Sequence, residues 1–265
     1  MKTKFKSSLR GACHTFGGVA GVGAAMLMAI NAPAQNLFVS DWSSDGIYEY
    51  TPGGAQSTFA TGLSSPVGLA FNAAGDLFEA NEGSGNIFEF TPSGVQSTFA
   101  TGLANPYGLA FNSAGDLFEA DEGSGNIYEF TPGGAQSTFA SGLSPNGLAF
   151  DSMGDLFVAD DANGTIIKIM PGGAQSTFAS GLSNPQQLAI NGAGDLFEAD
   201  FFTGTVNEFT PDGAQSTFAS GLNYPTGLAF QGEALPVPEP TAFGLLAVGV
   251  ASLLVIRRKL AKSGY

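Results

Sequence analysis

Residues 116–150 read Asp116-Leu117-Phe118-Glu119-Ala120-Asp121, a Gly-rich turn to Gly125, Asn126-Ile127-Tyr128-Glu129-Phe130, Thr131-Pro132-Gly133-Gly134, Gln136-Ser137-Thr138-Phe139-Ala140 and Pro145-Asn146-Gly147-Leu148-Ala149-Phe150. A block of about 40 residues like this one recurs five times between Asn36 and Phe230, beginning at Asn36, Asp76, Asp116, Asp155 and Asp195. A fixed period of this length means one supersecondary unit stacked on copies of itself. In the second copy the runs with strand character fall at 77–80, 87–90, 96–99 and 108–111. Turn clusters separate them: Gly83-Ser84-Gly85, Thr91-Pro92-Ser93-Gly94 and Ala104-Asn105-Pro106. No stretch of the repeat has helical periodicity.

Four short strands per 40 residues fit one blade of a β-propeller better than a coil of a parallel β-helix, which is shorter and lacks four separate turns. The expected fold is therefore all-β, a five-bladed propeller of four-stranded antiparallel blades. The chain enters the repeat at a second strand and leaves it at an inner strand, 227–230. That last run is expected to pair with the first three strands, closing the ring and covering the sheet edges.

The motifs Pro106-Tyr107-Gly108-Leu109-Ala110-Phe111, Gly115-Asp116-Leu117-Phe118-Glu119-Ala120-Asp121 and Asn126-Ile127 sit within this frame. Together they resemble NHL-type propeller repeats across the whole of the repeated region. The resemblance implies a fold and no particular activity.

Both ends carry different chemistry. Lys2, Lys4, Lys6 and Arg10 precede an apolar stretch and Ala32-Pro33-Ala34. This order reads as a secretory signal peptide over 1–34, with a retained N-terminal anchor as the rival reading. The propeller is expected over 35–232 and a linker over 233–240. An uncharged run at 241–256 reads as a transmembrane helix, followed by a basic cytoplasmic tail at 257–265. Sixteen residues span roughly 24 Å as a helix, short of a bilayer core of about 30 Å unless flanking basic side chains snorkel. Pro238-Glu239-Pro240, the hydrophobic run and Arg257-Arg258 resemble a PEP-CTERM sorting signal. The resemblance implies export by a Gram-negative bacterium, an inner-membrane intermediate held by the C-terminal helix and an exosortase-type processing partner. It also implies delivery to the cell surface or an exopolysaccharide matrix. A simple membrane anchor is the alternative.

Setting the ends aside leaves Lys168 as the single basic side chain against all 23 acidic ones, a charge of about −22. Such a domain repels nucleic acid and anionic surfaces and attracts cations. Cys13 and His14 both lie in the signal peptide, so the exported region has no Cys, His or Arg. That composition excludes Cys- or Ser-His nucleophilic chemistry, His-ligated zinc and Arg clamps.

Candidate residues follow from the topology. An Asp or Asn ends the second strand in every copy, among them Asp41, Asp121, Asp160 and Asp200. These carboxylates read either as caps of the following turn or, with Asn146, as oxygen ligands for calcium. Three pairs, Glu79 with Glu89, Glu119 with Glu129 and Glu198 with Glu208, are expected to face each other across a hairpin on a solvated edge. Function is better sought where the copies disagree. The middle residue of Pro-x-Gly varies as Val67, Tyr107, Asn146, Gln186 and Thr226, and Trp42, Phe201, Phe202 and Tyr224 are departures nearby. Trp42, Tyr107, Asn146, Gln186, Phe201, Phe202 and Tyr224 are thus the candidate ligand contacts, with aromatic rings as platforms. Pro145-Asn146-Gly147-Leu148 is similar to an inner strand of gluconolactonase and regucalcin propellers, which implies a metal-ligand role for Asn146. The other positions of that set hold Val67, Tyr107 and Thr226 here. The reading is a non-catalytic binding or scaffold module with a polysaccharide or surface protein as partner. The alternative is a divalent-metal-dependent lactone or ester hydrolase.

Overall fold

The computed structural model describes residues 36–228. They form nineteen strands and a 3-10 turn at Glu82–Ser84, with no α-helix among the described residues. Blade 1 contains β1 (Leu37–Asp41), β2 (Gly46–Tyr50) and β3 (Gln56–Thr61). Blade 2 contains β4 (Pro66–Phe71), β5 (Leu77–Asn81), β6 (Asn86–Phe90) and β7 (Gln96–Thr101). Blade 3 follows with β8 (Pro106–Phe111), β9 (Leu117–Asp121), β10 (Asn126–Phe130) and β11 (Gln136–Ser141). Blade 4 has β12 (Pro145–Phe150), β13 (Leu156–Asp160), β14 (Thr165–Ile169) and β15 (Gln175–Ser180). Blade 5 has β16 (Pro185–Ile190), β17 (Leu196–Asp200), β18 (Thr205–Phe209) and β19 (Gln215–Ser220). The chain is a five-bladed, all-β propeller whose strands pair antiparallel in sequence order.

The second strands of blades 2, 3 and 4 each lie between two neighbouring blades, so both of their faces are buried. In β9, Leu117 and Glu119 look toward blade 2 while Phe118 and Ala120 look toward blade 4, and all are buried. Between blades 2 and 3 the core joins Phe78, Ala80 and Ile87 to Leu109, Phe111, Leu117 and Phe130. Edge-to-face phenylalanines bind the layers, as in Phe78–Phe111 at 5.0 Å and Phe118–Phe150 at 4.9 Å between centroids. The outermost strands expose Gln, Ser and Thr at their starts and carry a bulge before the next turn.

The inner strands approach one another so closely that the Gly of Pro-x-Gly is obligatory. A Cβ on Gly68 would meet the Tyr107 carbonyl at 2.0 Å, one on Gly108 the Asn146 carbonyl at 2.1 Å, and one on Gly147 the Gln186 carbonyl at 2.3 Å. Blade 5 carries Gln187 at this position.

Two expectations change. Among the described residues blade 1 has three strands: Gly227 and Leu228 belong to no strand, and Ala229 and Phe230 lie outside the described residues. The signal peptide, the linker, the hydrophobic run and the sorting residues Pro238, Glu239, Pro240, Arg257 and Arg258 also lie outside them. The glutamate pairs, secondly, are not opposed. The turn places Asp121 opposite Asn126, so Glu119 faces Tyr128 and Glu129 faces Phe118, one residue out of step. The same offset sets Glu79 against Phe88 and Glu198 against Asn207. Glu79, Glu119 and Glu198 are fully buried between blades instead of lying on a solvated edge.

Candidate binding rim

The loops after each second strand and those between blades share one rim. The terminal Asp of the second strand organises that rim from below. Asp121 accepts hydrogen bonds from the backbone N–H of Ala104 at 2.7 Å, Asn105 at 3.2 Å and Ser124 at 2.9 Å. It thereby ties its own turn to the connection arriving from blade 2. Asp160 takes the Ser144 N–H at 3.0 Å and the Asn163 amide. Asp200 takes the Ser183 N–H at 2.7 Å and the Thr203 N–H at 3.2 Å. Hydrogen bonds from Ser43 and Ser44 hold the Asp41 carboxyl below the usual carboxylate range. These are capping roles. Among the described residues no three carboxylates converge as a metal cage.

The residue after each cap is Trp42, Glu82, Glu122, Asp161 and Phe201 in turn, acidic in three blades and aromatic in two. The indole N–H of Trp42 donates to Glu82 at 3.2 Å, the Asn105 amide to Glu122 at 2.8 Å, and the Asn184 amide to Asp161 at 3.1 Å. Asn184 in turn accepts from Gln186 at 2.8 Å, and the Tyr107 hydroxyl donates to Gln186 at 3.3 Å. Tyr107 and Gln186 belong to inner strands two blades apart, so this bond reaches across the mouth of the central channel. Asn146, from the blade between them, is buried, and its Oδ1 has no hydrogen-bond partner among the described residues. Asn184 has a backbone φ of 116°, a region that favours glycine, and its side chain links the Asp161 and Gln186 ends of the chain of bonds.

Half-buried Tyr107 is the electrostatic centre of this rim. Burial, then the charges of Glu82, Glu122 and Asp161, raise its phenol above the ordinary range. Burial, followed by Asp161 and Glu82 against the Asn105 hydrogen bond, raises Glu122. No cation offsets these three carboxylates among the described residues, since Lys168 is paired with Asp155 at 2.7 Å and Asp151 at 3.8 Å. On the blade 5 side, Phe201 packs against Tyr224 with centroids at 4.8 Å and planes at 31°, and against Phe202 at 5.2 Å. Trp42, Phe202 and Tyr224 are exposed.

The structure thus joins Tyr107 and Gln186 through Asn184 to Asp161, while Trp42–Glu82 and Asn105–Glu122 are separate bonded pairs on the same rim. Phe201, Phe202 and Tyr224 form a separate aromatic cluster, while Asp41, Asp121, Asp160 and Asp200 are caps. The sequence reading did not single out Asn105 and Asn184, the amides that hold Glu122 and Asp161. The residue before each inner-strand Pro runs Ser65, Asn105, Ser144, Asn184 and Tyr224, a variation of the same kind as in Pro-x-Gly.

Away from the rim, three second strands carry a carboxyl where β1 and β13 carry Val39 and Val158. Burial pushes Glu79 up to about 8, with the Asn81 amide opposing. Burial pushes Glu198 up to about 7; the Asn207 amide opposes this and Asp200 adds to it. Burial and then the Asp121 charge raise Glu119 well above the ordinary range against the nearby Tyr107 backbone N–H, and neither of its oxygens accepts a well-formed hydrogen bond among the described residues. Glu79 is therefore mostly protonated at neutral pH and Glu198 close to half-protonated.

Comparison with known proteins agrees with this architecture. The PEP-CTERM protein-sorting motif matches residues 236–259, so the chain carries the signal that an exosortase recognises in exported proteins. No curated protein matches the chain. Among solved structures, a gluconolactonase from Xanthomonas campestris is 20% identical with a TM-score of 0.66, covering 74% of this chain and 76% of that one. A nidogen/laminin complex chain is 24% identical with a TM-score of 0.65, at 70% and 76% coverage. Virginiamycin B lyase from Staphylococcus aureus is 15% identical with a TM-score of 0.61, at 71% and 67% coverage. Identities this low establish the propeller fold alone.

Proposed function

We propose that the protein is an exported, non-catalytic binding module whose channel mouth takes a neutral or amine-bearing glycan at the cell surface or in the surrounding matrix. The observation that carries this reading is the rim itself. Aromatic faces at Trp42, Tyr107 and the Phe201–Tyr224 stack alternate with Glu82, Glu122 and Asp161, each carboxylate oriented by one side-chain donor. Sugar rings stack on aromatic faces, and their hydroxyls donate to carboxylates and amides. The charge of about −22 works against an anionic polymer unless a divalent cation bridges the two, and it favours an amine-bearing one. Affinity electrophoresis in gels containing mixed-linkage glucan, chitosan or alginate with calcium tests the reading. Retardation by glucan or chitosan that is lost in Tyr107→Ala and Trp42→Ala is expected. Equal mobility in every gel sinks it.

A divalent-metal-dependent lactone or ester hydrolase is the second reading, motivated by the buried, unpartnered Oδ1 of Asn146. Calcium needs six to eight oxygen ligands, and the neighbouring inner-strand positions supply Tyr107 and Gln186 instead of carboxylates. The residues present therefore do not fit a catalytic calcium site, and no step is assigned through one. Lactone turnover that depends on added calcium and disappears in Asn146→Ala would reverse this ranking.

A further inference from the structure

Backbone hydrogen bonds fix the three acids of the rim beside the inner strands. The N–H of Glu82 donates to the Ser65 carbonyl at 3.2 Å, that of Glu122 to Asn105 at 3.1 Å, and that of Asp161 to Ser144 at 3.0 Å. Ser65, Asn105 and Ser144 each directly precede the inner-strand Pro, so the acids stand beside Val67, Tyr107 and Asn146 on three successive blades. Each carboxylate spends one oxygen on a neutral donor, from Trp42, Asn105 or Asn184. The other oxygen of each accepts no hydrogen bond among the described residues, and none of the three has an ion-pair partner there.

Asn146 leaves a further demand unmet in the same place. It holds the position in β12 that Tyr107 holds in β8 and Gln186 in β16, and those two side chains meet at the channel mouth at 3.3 Å. The Asn146 side chain points into that mouth from the blade between them. It is 2% exposed, and its Oδ1 has no partner among the described residues. A buried acceptor without a donor is destabilising. The Tyr107–Gln186 bond that flanks it is long for O–H···O, so little holds this cover closed. The mouth therefore lacks hydrogen-bond donors and positive charge together.

A single metal ion answers these demands poorly. Calcium gathers six to eight oxygens around one point, whereas these carboxylates are spread over blades 2, 3 and 4. A ligand with positive charges spaced along a chain matches that spread, and each of its ammonium groups brings three donors. The geometry points to a polymer of protonated amino sugars as the occupant, a choice that rests on the glycan reading above. Its ammonium groups pair with the free oxygens of Glu82, Glu122 and Asp161. One of them passes the face of Tyr107, displaces the Tyr107–Gln186 bond and donates to Asn146 Oδ1. Neutral sugars leave the charge unanswered, so the amine decides affinity.

Trp42 is the chain's single tryptophan and bonds to Glu82, so its fluorescence reports on the ring of acids. The full-length chain is titrated at about pH 6, where carboxylates and sugar amines are both largely charged. The two ligands are a glucosamine hexamer and the N-acetylglucosamine hexamer, which keeps the backbone and loses the charge. The glucosamine hexamer is expected to bind about tenfold tighter and to lose that margin in high salt. Equal affinities overturn the amine selection and leave the glycan reading standing, whereas binding of neither overturns both. Glu122→Gln, at an exposed position, is expected to shrink the margin between the hexamers severalfold at unchanged Tm. Asn146→Ala is expected to shrink it too. An unchanged margin in Glu122→Gln overturns the proposal even where Asn146→Ala, at a buried position, fails to fold.

Discussion

Blades 3 and 4 share nearly every buried residue of their second strands, yet at one position β9 has Glu119 and β13 has Val158. Both side chains are fully excluded from water. Val158 completes an apolar core with Ala120, Leu148 and Leu156. Glu119 places two oxygens without well-formed hydrogen bonds into the equivalent space, beside the charge of Asp121. The blade folds either way, so the carboxyl is not part of what specifies the propeller. It is a cost that the surrounding phenylalanine and leucine layers offset, and it makes three blade interfaces sensitive to pH while a fourth is not.

The largest effect expected from this contrast is on pH dependence. An acid whose pKa is raised by folding binds its proton more tightly when folded. Its stabilising share is complete below the unfolded value near 4.5 and is lost as pH rises through the folded values of about 7 for Glu198 and about 8 for Glu79. The loss amounts to several kcal/mol, and at roughly 2–4 °C per kcal/mol for a domain of this size Tm should fall by about 10 °C between pH 5 and pH 8. Calorimetry across that range measures it. The combined variant Glu79→Gln, Glu119→Gln, Glu198→Gln should flatten the slope, and a slope that survives in it would place the titrating groups elsewhere.

Exchanging the two residues sharpens the comparison at a single site. Val158→Glu buries a polar group with no prepared partner and should cost about 3 kcal/mol in urea unfolding at pH 7, near the upper end for an unsatisfied group. Glu119→Val should gain about 1–2 kcal/mol, less than the converse loss because the site is already adapted to its occupant. If Glu119→Val destabilises, the carboxyl has a partner that holds it in place. A smaller effect separates the blades on the other rim. Lys168 bridges Asp151 and Asp155 and lies 5.2 Å from the centroid of Phe157, all in blade 4. Lys168→Met should cost about 1 kcal/mol, the order expected of a partly exposed ion pair. A larger loss would mean that its pairing, and not apolar packing, holds blade 4 together.

The frame was legible because the period is long and nearly exact. Strands expected at 77–80 and 108–111 became Leu77–Asn81 and Pro106–Phe111, and the turn residues lie where the chain reverses. Register was less legible: a four-residue turn from Glu122 to Gly125 moves Glu119 opposite Tyr128, and sequence alone does not tell that length from its neighbours. Burial of the glutamates escaped for a related reason. Alternation of apolar and polar residues reads as one wet face, whereas a strand with a blade on each side has none. At the rim, variation in Pro-x-Gly led to Tyr107 and Gln186. Asn105 and Asn184 matter through a side-chain hydrogen bond to a different loop, a relation that only the fold brings about. The recurrent Asp residues accept hydrogen bonds from their own turns because each turn presents N–H groups to a carboxylate placed at its start.

Hydrogen exchange of the full-length chain, with and without the polysaccharide that retards it, tests most directly the claim that ligand is held at the mouth. Protection is expected in the backbone around Trp42, at 102–107, at 184–186 and around Phe201, with little change in the exposed Gln-Ser-Thr starts of β3, β7, β11, β15 and β19. Protection confined to those outer strands, or spread evenly over all five blades, would contradict the account.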